Sequence, residues 1–288
     1  MNSALLLERF LVRTLRAVGE GSPPRLMAAI HHAVFPAGAR IRPRLCLAVA
    51  RACGNEFAPG AMAAAASIEL LHCASLVHDD LPCFDDASTR RGRASVHRAH
   101  GERAAVLAGD ALIVLSLQTL VRQRGASAEQ RLALLEVIGA AAGVPGGIAA
   151  GQAWECEPRV ELAPYQRFKT GSLFAAAAEC GAVAAGAEPL AWREVGELVG
   201  EAYQVADDIC DVTSDAATLG KPIGRDAALG RPNAVAELGM QQAEARLRQL
   251  VEASMERIPE CPGADELRAR FRMAVHQIVA SRLSRPAA

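Results

Sequence analysis

Apolar residues recur along this chain at helical spacing, and almost nowhere do they alternate with polar ones. Leu5, Leu6, Phe10, Leu11, Leu15 and Val18 mark a first amphipathic helix over residues 2–18. Pro23 and Pro24 open a second that runs to Phe35, where Pro36-Ala37-Gly38 breaks it. Helix resumes over residues 45–53, and an apolar run over 61–77 is long enough for nearly five turns. Residues 103–121 predict another helix with Gly109-Asp110 inside it, and so apolar a run predicts a buried, hydrogen-bonded Asp110 rather than a catalytic one. The glycines from Gly143 to Gly151 lack phosphate-loop spacing and read as a joint where backbones approach closely. Pro164 restarts a helix through Phe168 and Phe174 that continues as an Ala-rich run to Ala187. Residues 194–211, a short helix after Arg231-Pro232-Asn233, and amphipathic helices over 241–258 and 265–283 complete the pattern. Without strand alternation, low-complexity linker or fixed repeat, it predicts one all-α domain over residues 1–288, its helices surrounding a central cavity.

Composition sharpens this in three places. The apolar half of the chain is mostly Ala, Leu and Val with only 4% aromatic residues, which favours helix over strand. A net charge of −1 gives no reason to expect a nucleic-acid partner. The eight cysteines are scattered without C-x-x-C or zinc spacing, so they read as small buried hydrophobes in a reducing compartment. No signal segment is recognised and no apolar stretch is expected to span a bilayer, so the expected location is cytoplasmic.

The chemistry concentrates at two helix ends. The run over 61–77 leads into His78, Asp79, Asp80, Leu81, Pro82, Cys83, Phe84, Asp85 and Asp86, then Arg90, Arg91 and Gly92. Four carboxylates within eight positions repel one another. A helix C-terminus is also the wrong end of the dipole for them. A hard divalent cation relieves both problems, and Mg²⁺ commonly takes one or two carboxylates together with substrate phosphates. Arginines beside such a cluster suit the phosphate oxygens that the metal does not reach. A second cluster, Asp207-Asp208-Ile209-Cys210-Asp211, sets Asp207 and Asp211 four apart on one helix face. A metal–diphosphate site is the working expectation.

Other positions bear on it. His72 lies two turns before Asp79 on the same face and is either a core residue or a phosphate contact. Arg40 and Arg42 flank Ile41 after a glycine turn, forming either an anion-binding corner or a basic helix start. Of the 31 basic residues only Lys169 and Lys221 are lysines. An ammonium and a guanidinium are not equivalent at a crowded phosphate, so both are candidate site residues. Lys169 and Thr170 lead into a buried helix, which fits a cavity lining. Lys221 follows the second cluster closely enough to reach back over Asp207 and Asp211. Gln152, Glu155 and Glu157 carry no specific signature.

On these residues the chain resembles the trans-isoprenyl diphosphate synthases over nearly its whole length. Asp79-Asp80 with Asp85 and Arg90-Arg91-Gly92 look like the longer bacterial form of that family's first Asp-rich motif. Asp207-Asp208-x-x-Asp211 looks like the second, while Lys169-Thr170-Gly171, Gln204 and Gly220-Lys221 match its allylic diphosphate contacts. The run from Phe35 to Pro43 and Gly151-Gln152-Ala153-Trp154-Glu155 are most similar to geranylgeranyl diphosphate synthases of bacterial carotenoid and photopigment pathways.

The resemblance implies an isoprenoid-synthase helical bundle and a Mg²⁺-dependent prenyltransferase, homodimeric. It would join isopentenyl diphosphate to dimethylallyl, geranyl and farnesyl diphosphates to give geranylgeranyl diphosphate. It assigns the metal to Asp79, Asp85 and Asp207, helped by Asp80, Asp208 and Asp211. Arg90, Lys169, Thr170, Gln204 and Lys221 would hold the allylic diphosphate, with Lys169, Thr170, Gln204 and Lys221 serving catalysis; Arg42, His72 and Arg91 would hold isopentenyl diphosphate. Ala39 stands where the family usually has a lysine, a lost contact worth about 1.5–3 kcal/mol unless Arg40 or Arg44 compensates. The family's usual chain-length floor falls on Ser75 and Ala74, both small, which predicts a twenty-carbon product and a floor deeper in the cavity. The competing expectations are a farnesyl diphosphate synthase, a low-activity partner subunit of a heteromeric synthase, a terpene cyclase, and a His-Asp phosphohydrolase using His72, His78 and Asp79.

Overall fold

A proline and a block of alanines set the central element. Pro59 starts helix α4, Pro59–Asp79, where its missing N–H is no loss, and Ala63 to Ala66 let neighbouring helices come close. In the computed structural model, which describes residues 3–36, 38–55, 58–157, 167–213 and 233–283, three helices enclose α4. They are α3 (Ile41–Ala52), α6 (Glu102–Val121) and α9 (Ser172–Ala185). Gly181 is required where α9 crosses α3, because a Cβ there would lie 2.5 Å from the Cys46 carbonyl oxygen.

Around this centre lie α1 (Ser3–Gly19), α2 (Pro24–Val34), α5 (Val96–His100), α7 (Ala128–Ala142) and α8 (Ile148–Trp154). On the other side follow α10 (Leu190–Thr213), α11 (Ala234–Leu238), α12 (Met240–Glu256) and α13 (Ala264–Leu283). One apolar core runs from Leu7 on α1 to Leu267 on α13, and a smaller cluster packs α10 on α12 through Val205, Ile209, Leu247 and Leu250. The all-α expectation holds, and the helical boundaries fall close to those read from the sequence. Asn233 caps α11 by accepting from the Val235 and Ala236 amides. Pro164 lies outside the described residues, as do Lys221 and the turn around it.

Three expectations change. The loop after α4 contains a two-residue antiparallel ladder, Thr89–Arg90 against Arg93–Ala94, too short for any alternation to announce it. Asp110 is exposed, not buried; its only ion-pair partner among the described residues is His78, at 3.7 Å. Its neighbours Val106, Leu107 and Val114 are exposed with it, so this face of α6 is left uncovered by the described residues and apolarity did not mean burial. Finally, α4 and α6 are both long and apolar enough to cross a membrane, contrary to the expectation that no run would be; most of α4 is enclosed by its neighbours.

Candidate active site

Both acidic clusters sit at the C-terminal ends of long helices, and in each the members divide alike. On α4, Asp79 is half-buried while Asp80 is only 2% exposed. On α10, Asp207 and Asp211 are half-buried while Asp208 is 3% exposed. Each buried aspartate has local work. Asp80 accepts from Arg90, whose Nε lies 3.0 and 3.3 Å from its two oxygens. Asp208 accepts from Gln204 Nε2 at 3.0 Å and from the Ala234 amide at 2.8 Å, tying α10 to the start of α11. Among the described residues no three acidic, His or Cys side chains already converge on one point, so the six predicted ligands remain two groups in this conformation.

A π-helical turn, Arg167–Gly171, joins them. Lys169 Nζ lies 3.2 Å from Asp79 Oδ1 and 2.7 Å from Glu155 Oε1. The next residue turns the other way: Thr170 Oγ1 donates to Gln204 Oε1 at 3.1 Å, and Gln204 donates onward to Asp208. Two adjacent residues thus reach one acid cluster each. The turn is pressed into place by α8, where a Cβ on Gly151 would lie 2.4 Å from the Lys169 amide nitrogen. Glu155 in turn accepts from Gln152 Nε2 at 2.8 Å. Glu155 and Gln152 carry no chemical signature of their own in the sequence; the signal that could have found them is the family-like run Gly151-Gln152-Ala153-Trp154-Glu155.

The electrostatics explain why Lys169 is there. Burial pushes the Asp79 carboxyl up, Lys169 pulls it back, and the nearby Asp85 charge pushes it up again. Asp80 is likewise raised by burial and drawn down by Arg90. The half-buried acids offer carboxylate oxygens crowded together, which is the donor chemistry that suits a hard divalent ion.

Two turns back along α4, around His72, lies a cationic corner. Arg42 stacks over the Phe174 ring at 4.4 Å and the Tyr203 ring at 5.7 Å. Burial lowers its guanidinium, opposed by Tyr203, Glu69 and Asp207, so Arg42 also senses the second cluster. His72 is held well below its usual range first by burial, then by Arg42, Arg91, Arg90 and Arg40. It is therefore a neutral imidazole ringed by guanidiniums. Arg91, at a left-handed φ of 54°, passes beside Gly38, where a Cβ would lie 2.9 Å from its Nε. The charges of Arg42 and Arg91 both act on His72, so the structure brings these three together.

Arg40 is taken up by carboxylates. It is 6% exposed and committed to Glu8 at 2.8 Å, to Glu69 at 2.5 Å and to the Val34 carbonyl at 2.9 Å. Arg44 lines a different cleft. Below Asp79, Ala74 is buried and Ser75 donates to the His72 carbonyl at 2.9 Å, and both side chains are small.

An all-helical bundle with two acidic helix ends linked through one lysine–threonine step, and a cationic corner alongside, defines the class. The chain belongs to the polyprenyl synthetase family, whose model matches residues 23–266. It is 47% identical to a geranylgeranyl diphosphate synthase of Cereibacter sphaeroides over 93% of both chains. It is 45% identical to one of Rhodobacter capsulatus over 95% of both. Among solved structures it is similar to a geranyltransferase of Helicobacter pylori complexed with magnesium and isoprenyl diphosphate, with TM-score 0.79 and 29% identity over 94% of this chain and 95% of that one.

Proposed function

We propose that this protein is a Mg²⁺-dependent prenyltransferase that condenses isopentenyl diphosphate with allylic diphosphates and releases geranylgeranyl diphosphate. The observation that carries the reading is the Lys169–Thr170 step, which ties Asp79 to the Gln204–Asp208 pair. A diphosphate lying there would meet acids from both helix ends. The two geranylgeranyl diphosphate synthases similar along nearly the whole chain support the product, and the magnesium-bound geranyltransferase supports the metal.

Asp79, Asp85, Asp207 and Asp211 would hold the metal, and magnesium would supply the positive charge that makes the allylic diphosphate a leaving group. Asp80 and Asp208 act one step back, orienting Arg90 and Gln204. With a diphosphate bound, Lys169 moves its donors from Asp79 to phosphate oxygens while Glu155 keeps hold of it. Lys221, outside the described residues, is expected to contribute as the resemblance implies. Departure of the diphosphate leaves an allylic carbocation. Thr170 and Gln204 present oxygen dipoles toward it without a base that would quench it. Arg42, Arg91 and the neutral His72 hold the diphosphate of isopentenyl diphosphate, whose double bond attacks the cation. The released pyrophosphate takes the proton then lost. The apolar walls exclude water that would otherwise capture the cation.

The exposed apolar face of α6, with Leu107 56%, Val114 53% and Val121 52% exposed, supports a homodimer built on that helix. The eight free cysteines support a reducing, cytoplasmic setting. Incubation with isopentenyl diphosphate and each allylic primer, with and without Mg²⁺, tests the activity by chromatography of the dephosphorylated products. A magnesium-dependent twenty-carbon alcohol is expected. Accumulation at fifteen carbons from every primer would favour a farnesyl diphosphate synthase instead, and no product from any primer would favour the partner-subunit reading.

A further inference from the structure

Far from the acid clusters, around the first turn of α4, lies a cleft of about 700 Å³ that the condensation does not use. From Met62, on its wall, to Asp79 is roughly 25 Å along the helix axis at about 1.5 Å per residue. Two helices line it in the same way. On α1, Leu6 and Phe10 are followed by Arg13, whose guanidinium lies 5.1 Å from the Phe10 ring centroid. On α3, Leu47 and Ala48 lie between Arg44 and Arg51, the four spaced to share one helix face. Arg270 of α13 adds a fourth guanidinium.

No acidic residue among the described ones lines the cleft. Glu266, just outside, is shared by Arg51 at 2.5 Å and Arg270 at 2.9 Å. Arg13 and Arg44 have no carboxylate within ion-pair distance among the described residues. The charge and the greasy floor are presented together. Guanidiniums suit phosphate oxygens by shape as well as charge, and a few convergent cations over an apolar floor describe a site for a molecule with one anionic end.

We infer that this cleft binds an anionic amphiphile, a phosphate head held by Arg13 and Arg44 with a hydrocarbon chain over Phe10, Leu47 and Met62. The same chemistry is offered by the headgroup region of an anionic bilayer and by a free long-chain phosphate. The inference does not depend on the proposed activity, since none of these residues belongs to the acid clusters or the cationic corner.

The test uses the full chain without magnesium and titrates dodecyl phosphate, below its micelle concentration, by calorimetry. One-to-one binding is expected, at least tenfold weaker in Arg13→Gln/Arg44→Gln. Thermal unfolding and the condensation rate of the variant should stay at the wild-type values. If that pair fails to fold, Arg13→Gln alone, on the exposed side of α1, reads a smaller loss in the same direction. Unchanged binding in the variants would overturn the inference, as would inorganic phosphate or dodecyl maltoside binding as tightly as dodecyl phosphate. Co-sedimentation with phosphatidylglycerol vesicles, lost in the variant, identifies the bilayer as the source. Dodecyl phosphate binding without co-sedimentation identifies a free amphiphile.

Discussion

Gly151→Ala isolates the positioning of Lys169 from its charge. The added methyl would lie 2.4 Å from the Lys169 amide nitrogen, 2.6 Å from its Cα and 2.8 Å from the Phe168 carbonyl carbon. Ordinary contact begins near 3.4 Å, and all three neighbours are backbone, so the turn has to retreat by about 1 Å. That shift carries Lys169 Nζ away from Asp79 and Glu155, where its contacts are now 3.2 and 2.7 Å. A misplacement of about 1 Å at a reacting centre costs on the order of 100-fold in rate. Stability changes less. Replacing a helical glycine gains about 0.5–1 kcal/mol, and overpacking loses about 1–3 kcal/mol. The net loss is small beside a typical stability of about 5–15 kcal/mol, so the variant stays folded. Initial rates of condensation should fall about 100-fold in kcat/KM. Gly139→Ala is the control, because nothing lies within 4 Å of its Cβ position, and it should leave the rate alone. A Gly151→Ala enzyme within threefold of wild type would refute the claim that α8 fixes the lysine.

Four further outcomes are expected. Ala74→Phe, on a buried face below Asp79, should shorten the product toward fifteen carbons by chromatography; unchanged length would place the chain elsewhere. Glu69→Gln leaves buried Arg40 with Glu8 as its one carboxylate among the described residues and should lower stability by about 3 kcal/mol in denaturant titration; a loss under ~1 kcal/mol would mean that Glu8 suffices. His72 titrates lower folded than unfolded, so the unfolded chain takes the proton first and stability falls as pH drops below about 6.5. His72→Gln should flatten that slope, and equal slopes in the two proteins would contradict a buried neutral imidazole. Burial pushes the Cys46 and Cys73 thiols up to about 12, whereas Cys83 and Cys156 are exposed, so iodoacetamide on the native protein should label the latter pair and spare the former.

Most of the architecture was legible because long amphipathic periods with proline starts leave little freedom. α1, α2, α4, α12 and α13 begin and end within a few residues of where the pattern sets them. Both acid clusters were legible for the same reason, since carboxylates ending apolar helices stand out. What stayed hidden depends on tertiary contact. Arg40 and Arg42 look interchangeable in sequence, yet one is buried against Glu8 and Glu69 and the other lies over Phe174. Asp110 looked buried because its neighbours are apolar, but periodicity cannot say which apolar face is left without a partner. Glu155 is unremarkable until α8 brings it 2.7 Å from Lys169.

The central claim is that the acids ending α4 and α10 act on one diphosphate. Crystals grown with Mn²⁺ in place of Mg²⁺ and an unreactive thio-analogue of an allylic diphosphate would test it by anomalous scattering. The account predicts metal peaks about 2.0–2.2 Å from carboxylate oxygens of both Asp79 and Asp207, bridged by the same diphosphate. Metal bound to one cluster alone, with the diphosphate beyond reach of the other, would contradict it.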